Sequence, residues 1–363
     1  MKRILQVVDS MGMGGIQAFI MNVYRMIDKS KYQFDFLLHH KYSDSYDDEI
    51  RKMGGNIYYL PARSDGVLKN RRALDEFFKT HLNYTVVHQH ESSLTYIEPL
   101  IYARKYGIPT RIIHSHSTRA SGNPIHIVFH QLNKKKIENV ATNYFACGNL
   151  AAEWMFGETS VIGKVEIINN GIDVEKFSFN KTHRDEVKKE FNLEGKFVIG
   201  NIGRFSSVKN QLFLIDIFSE YRKLNPNSQL LLIGDGDMRN DIIKRIEALN
   251  LEDDVKLLGV RKDVYRIIQG IDFMIIPSLY EGFPVSVIEA QAAGIPCIIS
   301  NTITRDAIIK NNVKQLKLTE TAKTWAENIH SDEVNETSNQ VWYENGFDIE
   351  STIKKLLLVY KSS

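Results

Sequence analysis

A short apolar run at residues 271–276 gives way to a polar turn, a helix-like run and a second apolar run at 296–300. Continuous apolar runs of this length suit strands buried on both faces, as in parallel sheets whose returns are helices. Strand, loop, helix, strand is a βαβ unit, and the pattern recurs along the chain. Residues 4–8, 34–38, 57–60, 86–90, 110–113 and 165–168 read as strands, with helical runs at 16–27, 71–78, 95–105 and 150–156 between them. Residues 173–195 are polar and charged, with one helix candidate at 184–191. Apolar runs then resume at 196–201, 230–234 and 255–258, separated by helical runs at 211–224 and 238–249. The pattern predicts an α/β chain of two doubly wound domains. The expected division is a first domain at 1–175, a linker at 176–195, a second domain at 196–335 and a helical C-terminal segment at 336–363.

A chain of 363 residues exceeds what one core usually needs, which agrees with two domains. The net charge of +2 argues against a dedicated nucleic-acid binder, which carries a strong basic excess. Two cysteines, Cys147 and Cys297, sit in apolar surroundings without a CxxC, as expected of buried thiols in a reducing compartment. The N-terminal apolar run is too short for a signal peptide, and no run approaches the ~20 residues of a membrane span. A cytoplasmic protein is expected. Its charge balance hides one local asymmetry. Residues 99–137 hold no acidic side chain but carry Arg104, Lys105, Arg111, Arg119, Lys134, Lys135 and Lys136. That span is either a solvated face or a surface for an anionic acceptor or an anionic membrane. Residues 121–124 read as a loop within it.

Polar residues gather at the strand ends, where open α/β sheets bind ligands. Glu281 and Glu289 flank a Gly-Phe-Pro turn and the start of a helix. Gly12, Gly14 and Gly15 lie between the first strand and helix, where backbone N–H groups can meet a phosphate or sugar, although the spacing is not a dinucleotide fingerprint. Arg204 and Lys209 share a strand-to-helix loop, where arginine suits bidentate and lysine point contact with a phosphate. His88, His90, His114 and His116 close two strands. Taking the members of each pair to face opposite sides of the sheet, each pair offers only one ring to a site. No cysteine completes a zinc set, so a single histidine donating a hydrogen bond to substrate is the expected role.

Gly14-Gly15, His116, the 170–173 Asn-Gly-Ile-Asp segment, Gly203-Arg204-Phe205 with Lys209-Asn210, and Gly234-Asp235-Gly236 stand in an order that spans nearly the whole chain. The strongest motif is Glu281-Gly282-Phe283-Pro284 with Glu289-Ala290 and Gly294-Ile295-Pro296. In these marks the chain resembles the retaining glycosyltransferases of family 4, also called glycosyl transferases group 1. The segments at 154–157, 289–294 and 346–349 are similar to those of bacterial exopolysaccharide and capsule enzymes. Two positions depart from the common pattern, Gln17 and Asp306, where relatives commonly carry glutamate.

The resemblance implies the GT-B fold, two Rossmann-like domains facing across a cleft, with the C-terminal helix returning to the first. It implies transfer of a sugar from a nucleotide-sugar, with a UDP-sugar expected, to a lipid-linked or polysaccharide acceptor with retention of configuration. Arg204 and Lys209 would take the leaving phosphates, Glu281 the sugar hydroxyls and Glu289 the ribose. Phe283, Pro284, Val285 and Ser286 would turn backbone to the phosphates, Val260 and Arg261 would meet the base, and Gly15 and His116 would serve from the first domain. No cofactor or metal is implied. A sugar-nucleotide epimerase of the same fold and a non-catalytic partner subunit are the competing readings, and two glutamates acting as a hydrolase pair would leave the cations unexplained.

Overall fold

The computed structural model of the chain describes residues 1–12, 14–42, 45–119, 124–330 and 338–362. The loop expected at 121–124 falls almost wholly outside them. The chain divides into two compact units, one of residues 1–171 with 349–363 and the other of 172–348. Residues 176–195, expected as a linker, therefore count with the second unit. There the Lys181–Glu190 helix is tied to it by Arg184, which donates to the Gln269 carbonyl at 2.9 Å and pairs with Asp272. The C-terminal segment is also divided. The Gln340–Glu344 helix belongs to the second unit and the Ile349–Lys361 helix to the first.

The first unit is built on a seven-stranded parallel sheet: β1 (Lys2–Val7), β2 (Tyr32–Leu38), β3 (Ile57–Tyr59), β4 (Val86–Glu91), β5 (Thr110–Ser115), β6 (Asn143–Ala146) and β7 (Val165–Ile167). They lie in the order β3-β2-β1-β4-β5-β6-β7. The strand order reverses between β1 and β4, and the crevice at such a switch point is where doubly wound sheets take ligands. One face of the sheet packs Phe19, Ile20 and Tyr24 of the Gly15–Met26 helix against Ile4, Phe34 and Phe36, and the Ile349–Lys361 helix completes this layer with Leu356, Val359 and Tyr360. The opposite face packs Leu74, Phe78, Leu100 and Phe156 over Leu5, Val87 and Ile113. Ile4, Val86 and Ile112 face one side and Leu5, Val87 and Ile113 the other, which explains the short unbroken hydrophobic runs of these strands.

The second unit repeats the plan with β8 (Phe197–Ile202), β9 (Ser228–Ile233), β10 (Val255–Gly259), β11 (Phe273–Ile276), β12 (Cys297–Ser300) and β13 (Val313–Leu316) in the order β10-β9-β8-β11-β12-β13. Its switch point lies between β8 and β11. On one face Leu214, Ile217 and Phe218 of the Gln211–Leu224 helix and Trp325 bury Ile199, Leu230, Phe273 and Ile298. Trp342 and Phe347, beyond the last strand, are buried in the same unit. Among the described residues no helix is long and apolar enough to cross a membrane.

Candidate active site

The loop after β8 carries Gly203, Arg204 and Phe205, then a short 3-10 turn at Ser207–Lys209 and the Gln211–Leu224 helix. Phe205 is its anchor. The ring is fully buried, and its backbone exchanges hydrogen bonds with the Asp235 carbonyl and the Met238 amide. Glycine is forced at Gly234, where φ is +143° and a Cβ would lie 2.0 Å from the Gly203 carbonyl oxygen. Asn210 adopts the left-handed conformation at the helix start and donates from its amide to the Pro277 carbonyl at 3.1 Å. The Leu279 amide donates to the Val208 carbonyl at 2.8 Å. These two bonds tie the loop after β8 to the loop after β11, so Lys209 of one and Glu281 of the other are held side by side.

That junction brings Lys209 and Glu281 together, with Nζ 2.6 Å from Oε1. Glu281 is only 10% exposed. Arg204 is exposed and pairs with Asp237 at 3.2 Å instead. Phe283 is buried and stacks on Phe347, centroids 5.4 Å apart, so this residue offers a ligand its backbone rather than its ring. Pro284 caps the Val285–Ala292 helix, which leaves the first-turn amides of Val285 and Ser286 without carbonyl partners inside the helix. Glu289 stands one turn further on. Burial pushes its carboxyl up to about 7, against the opposing pull of Lys176. Val260 is 39% exposed. Arg261 forks onto Asp263 at 2.8 and 2.9 Å, which holds its guanidinium in place.

In the first unit, Gly14 is the extended cap of the Gly15–Met26 helix, and a Cβ at Gly15 would meet nothing within 4 Å. Gln17 donates to the Ser10 carbonyl at 3.0 Å and so fixes the loop between β1 and this helix. A glutamate at that position, being acceptor-only when ionised, could not make the same bond.

Each histidine pair shares one face of the sheet, against the expectation of opposite faces. Residues two apart on a strand point to the same face, not to opposite ones. His88 stacks on His90 at 4.1 Å and His114 lies beside His116 at 4.0 Å. The four rings form one buried cluster, and ligand atoms of His88, His90 and His114 lie within 4.8 Å of one another. His116 also donates its backbone amide to the Glu91 carbonyl at 3.0 Å. Glu91, at the end of β4, is a residue that the sequence reading passed over. Its carboxyl is pushed up to about 8, chiefly by burial and further by Asp9 and Glu98, while Gln89 donates to it at 2.8 Å. Its position directly after His90 at a strand end was the available signal.

The family model for Glycosyltransferase Family 4 matches residues 13–176, and that for Glycosyl transferases group 1 matches residues 183–348. EpsF of Bacillus subtilis (strain 168), assigned as a glycosyltransferase, is 34% identical over 100% of this chain and 97% of its own. The UDP-Gal:alpha-D-GlcNAc-diphosphoundecaprenol alpha-1,3-galactosyltransferase of Escherichia coli is 29% identical over 82% of this chain and 79% of its own. Among solved structures, Anabaena HepE in complex with UDP and glucose superposes with a TM-score of 0.82 at 16% identity, each chain covered completely. Two parallel α/β units in this order are the GT-B fold. The chain belongs to glycosyltransferase family 4, the glycosyl transferases group 1, and is a glycosyltransferase.

Proposed function

We propose that this enzyme moves a sugar from a UDP-sugar to a lipid-linked or polysaccharide acceptor, with retention of configuration, in the assembly of a bacterial cell-surface polysaccharide. The observation that carries the reading is the Lys209–Glu281 pair at the second unit's switch point, with Arg204 on the same loop. Lys209 and Arg204 supply positive charge to the departing diphosphate, so no metal is needed. Glu281 is displaced from Lys209 toward the sugar hydroxyls, and Glu289 accepts from the ribose. The open amides of Val285 and Ser286, together with the backbone of Phe283 and Pro284, favour the phosphates at a helix start. Val260 and Arg261 flank the base. In the first unit Gly15 leaves room beside the helix start, and His116 meets a sugar hydroxyl. The named relatives support the donor and acceptor classes, since one acts on a diphosphoundecaprenol-linked sugar with UDP-Gal and another is seen with UDP and glucose.

Membrane contact at the cytoplasmic face belongs to the same proposal. The Pro124–Lys134 helix is turned inside out. Ile125, Val128 and Leu132 are half or more exposed, while His130 is buried, stacks on Trp154 at 4.4 Å and accepts from the Leu94 amide. Lys135 and Lys136 follow on the same basic span. An apolar outer stripe beside cations fits an anionic lipid surface.

The deciding measurement incubates purified protein with UDP-, GDP- and ADP-sugars, with and without membrane lipid extract and with chelator. Release of UDP that depends on lipid and survives chelation is expected. Failure of every donor to bind would refute the reading.

A further inference from the structure

The buried histidines form two hydrogen-bonded chains. In the first, the Tyr360 hydroxyl meets His88 Nδ1 at 2.7 Å, and His88 Nε2 meets His114 Nδ1 at 3.2 Å. In the second, Gln6 Oε1 meets His90 Nε2 at 2.8 Å, and His90 Nδ1 meets His116 Nε2 at 2.9 Å. The cluster has the spacing of a metal site, but both nitrogens of His88 and of His90 are already bonded. The rings also lie in near-parallel pairs, 26° between His88 and His90 and 10° between His88 and His114, so their lone pairs do not converge on one point.

The second chain has a direction. An amide oxygen only accepts, so His90 must carry its proton on Nε2. Burial holds all four rings in the neutral form and lowers that of His116 to about 3. A neutral imidazole has one proton, so His90 Nδ1 accepts and His116 Nε2 donates to it. The direction of this chain follows from Gln6, which turns its amide oxygen to His90 and leaves its amide nitrogen buried without a hydrogen-bond partner among the described residues. His116 is then left with a lone pair on Nδ1, which has no hydrogen-bond partner among the described residues.

We propose that Gln6 and His90 are positioning residues that lock His116 in its Nε2–H tautomer, making Nδ1 a hydrogen-bond acceptor that suits a sugar hydroxyl and rejects a sugar carboxylate. This reverses the donor role expected from the sequence. The choice of sugar class rests on the transferase reading, whereas the tautomer does not.

Histidine side-chain nitrogen NMR on the full chain, labelled with 15N-histidine and assigned through His116→Gln, reads the tautomer directly. The expected result at neutral pH is a protonated Nε2 and an unprotonated Nδ1 on His116. Gln6→Leu removes the acceptor that orients His90 and should mix the His116 tautomers. Gln6→Glu, an acceptor-only side chain when ionised, should restore the wild-type pattern. A His116 ring with its proton on Nδ1, or a folded Gln6→Leu variant with an unchanged pattern, would overturn the proposal. So would shifts of several ring nitrogens together on titration with zinc alone. Calorimetry should show UDP-glucose bound roughly tenfold more tightly than UDP-glucuronate, and equal affinity would count against the acceptor role. A chain that binds neither would sink the transferase reading and leave the tautomer measurement to decide this one.

Discussion

Lys209 Nζ and Glu281 Oε1 lie 2.6 Å apart, joining the loop after β8 to the loop after β11. The pair neutralises in place two side chains that the proposed reaction needs separately, the cation for phosphate and the carboxylate for sugar. Removing Lys209 takes from the largely buried Glu281 the cation that faces it. Lys209→Ala should cost about 1–2 kcal/mol of stability in urea unfolding and should also lower turnover by about a hundredfold or more. Glu281→Gln should cost less stability and act mainly through sugar selectivity. Near-normal turnover in Lys209→Ala would remove the leaving-group role.

Gly234 sets where that loop lies. Gly234→Ala puts a methyl 2.0 Å from the Gly203 carbonyl oxygen at a backbone angle that L-residues avoid. The expected outcome is weakened UDP binding in calorimetry with the far-UV spectrum retained. Unchanged affinity would mean that the loop position does not matter to the nucleotide.

Glu289 makes stability depend on pH. Its carboxyl is raised from 4.5 to about 7 in the folded chain, so between those values the native state holds a proton that the unfolded state has lost. Stability contributed by this group is therefore full below about pH 4.5, falls as pH rises and is lost above about 7, a change of up to about 3 kcal/mol. Glu289→Gln should gain on the wild type across that window in paired denaturation series. A constant difference between the two would show that the carboxyl titrates normally.

Gln17 tests whether the unusual residue at this position is adapted to its loop. Gln17→Glu exchanges a donor to the Ser10 carbonyl for an ionised acceptor, at an expected cost of about 1–2 kcal/mol at neutral pH that shrinks as the carboxylate is protonated. An equal cost at pH 4 and pH 7 would place the effect elsewhere.

Ile125→Ser with Leu132→Ser should reduce sedimentation with anionic vesicles by roughly tenfold without lowering the melting temperature, because both side chains face outward. Equal binding of wild type and variant, or equal binding to neutral vesicles, would return the helix to an ordinary solvated surface.

The fold was legible where burial is two-sided. Leu230–Leu232 and Ile275–Ile276 are fully or nearly fully covered, and such strands show as unbroken apolar runs. β13 was not legible, because Lys314 and Gln315 interrupt a strand at the sheet edge that is covered on one side only. The Pro124–Lys134 helix escaped because its apolar stripe faces outward and its buried anchor is a histidine. At the candidate site, spacing pointed to Lys209 and Glu281 but could not reveal that they pair, since that contact depends on two loops 72 residues apart. The histidine cluster was visible as residues and hidden as a network, because its other members are Gln6 on β1 and Tyr360 near the far end of the chain.

The first unit's core contains Leu356, Val359 and Tyr360, whereas the second unit is one continuous stretch, 172–348. On a ribosome the order of completion is therefore inverted. The second unit has its whole sequence available while the first still lacks a helix, and the first must wait with Phe34 and the His88 ring short of their cover until residues 349–361 have been made. Domains that emerge first ordinarily finish first. Here the earlier half spends the synthesis of 177 residues as an unfinished fold, which makes it the half with reason to be met by a chaperone.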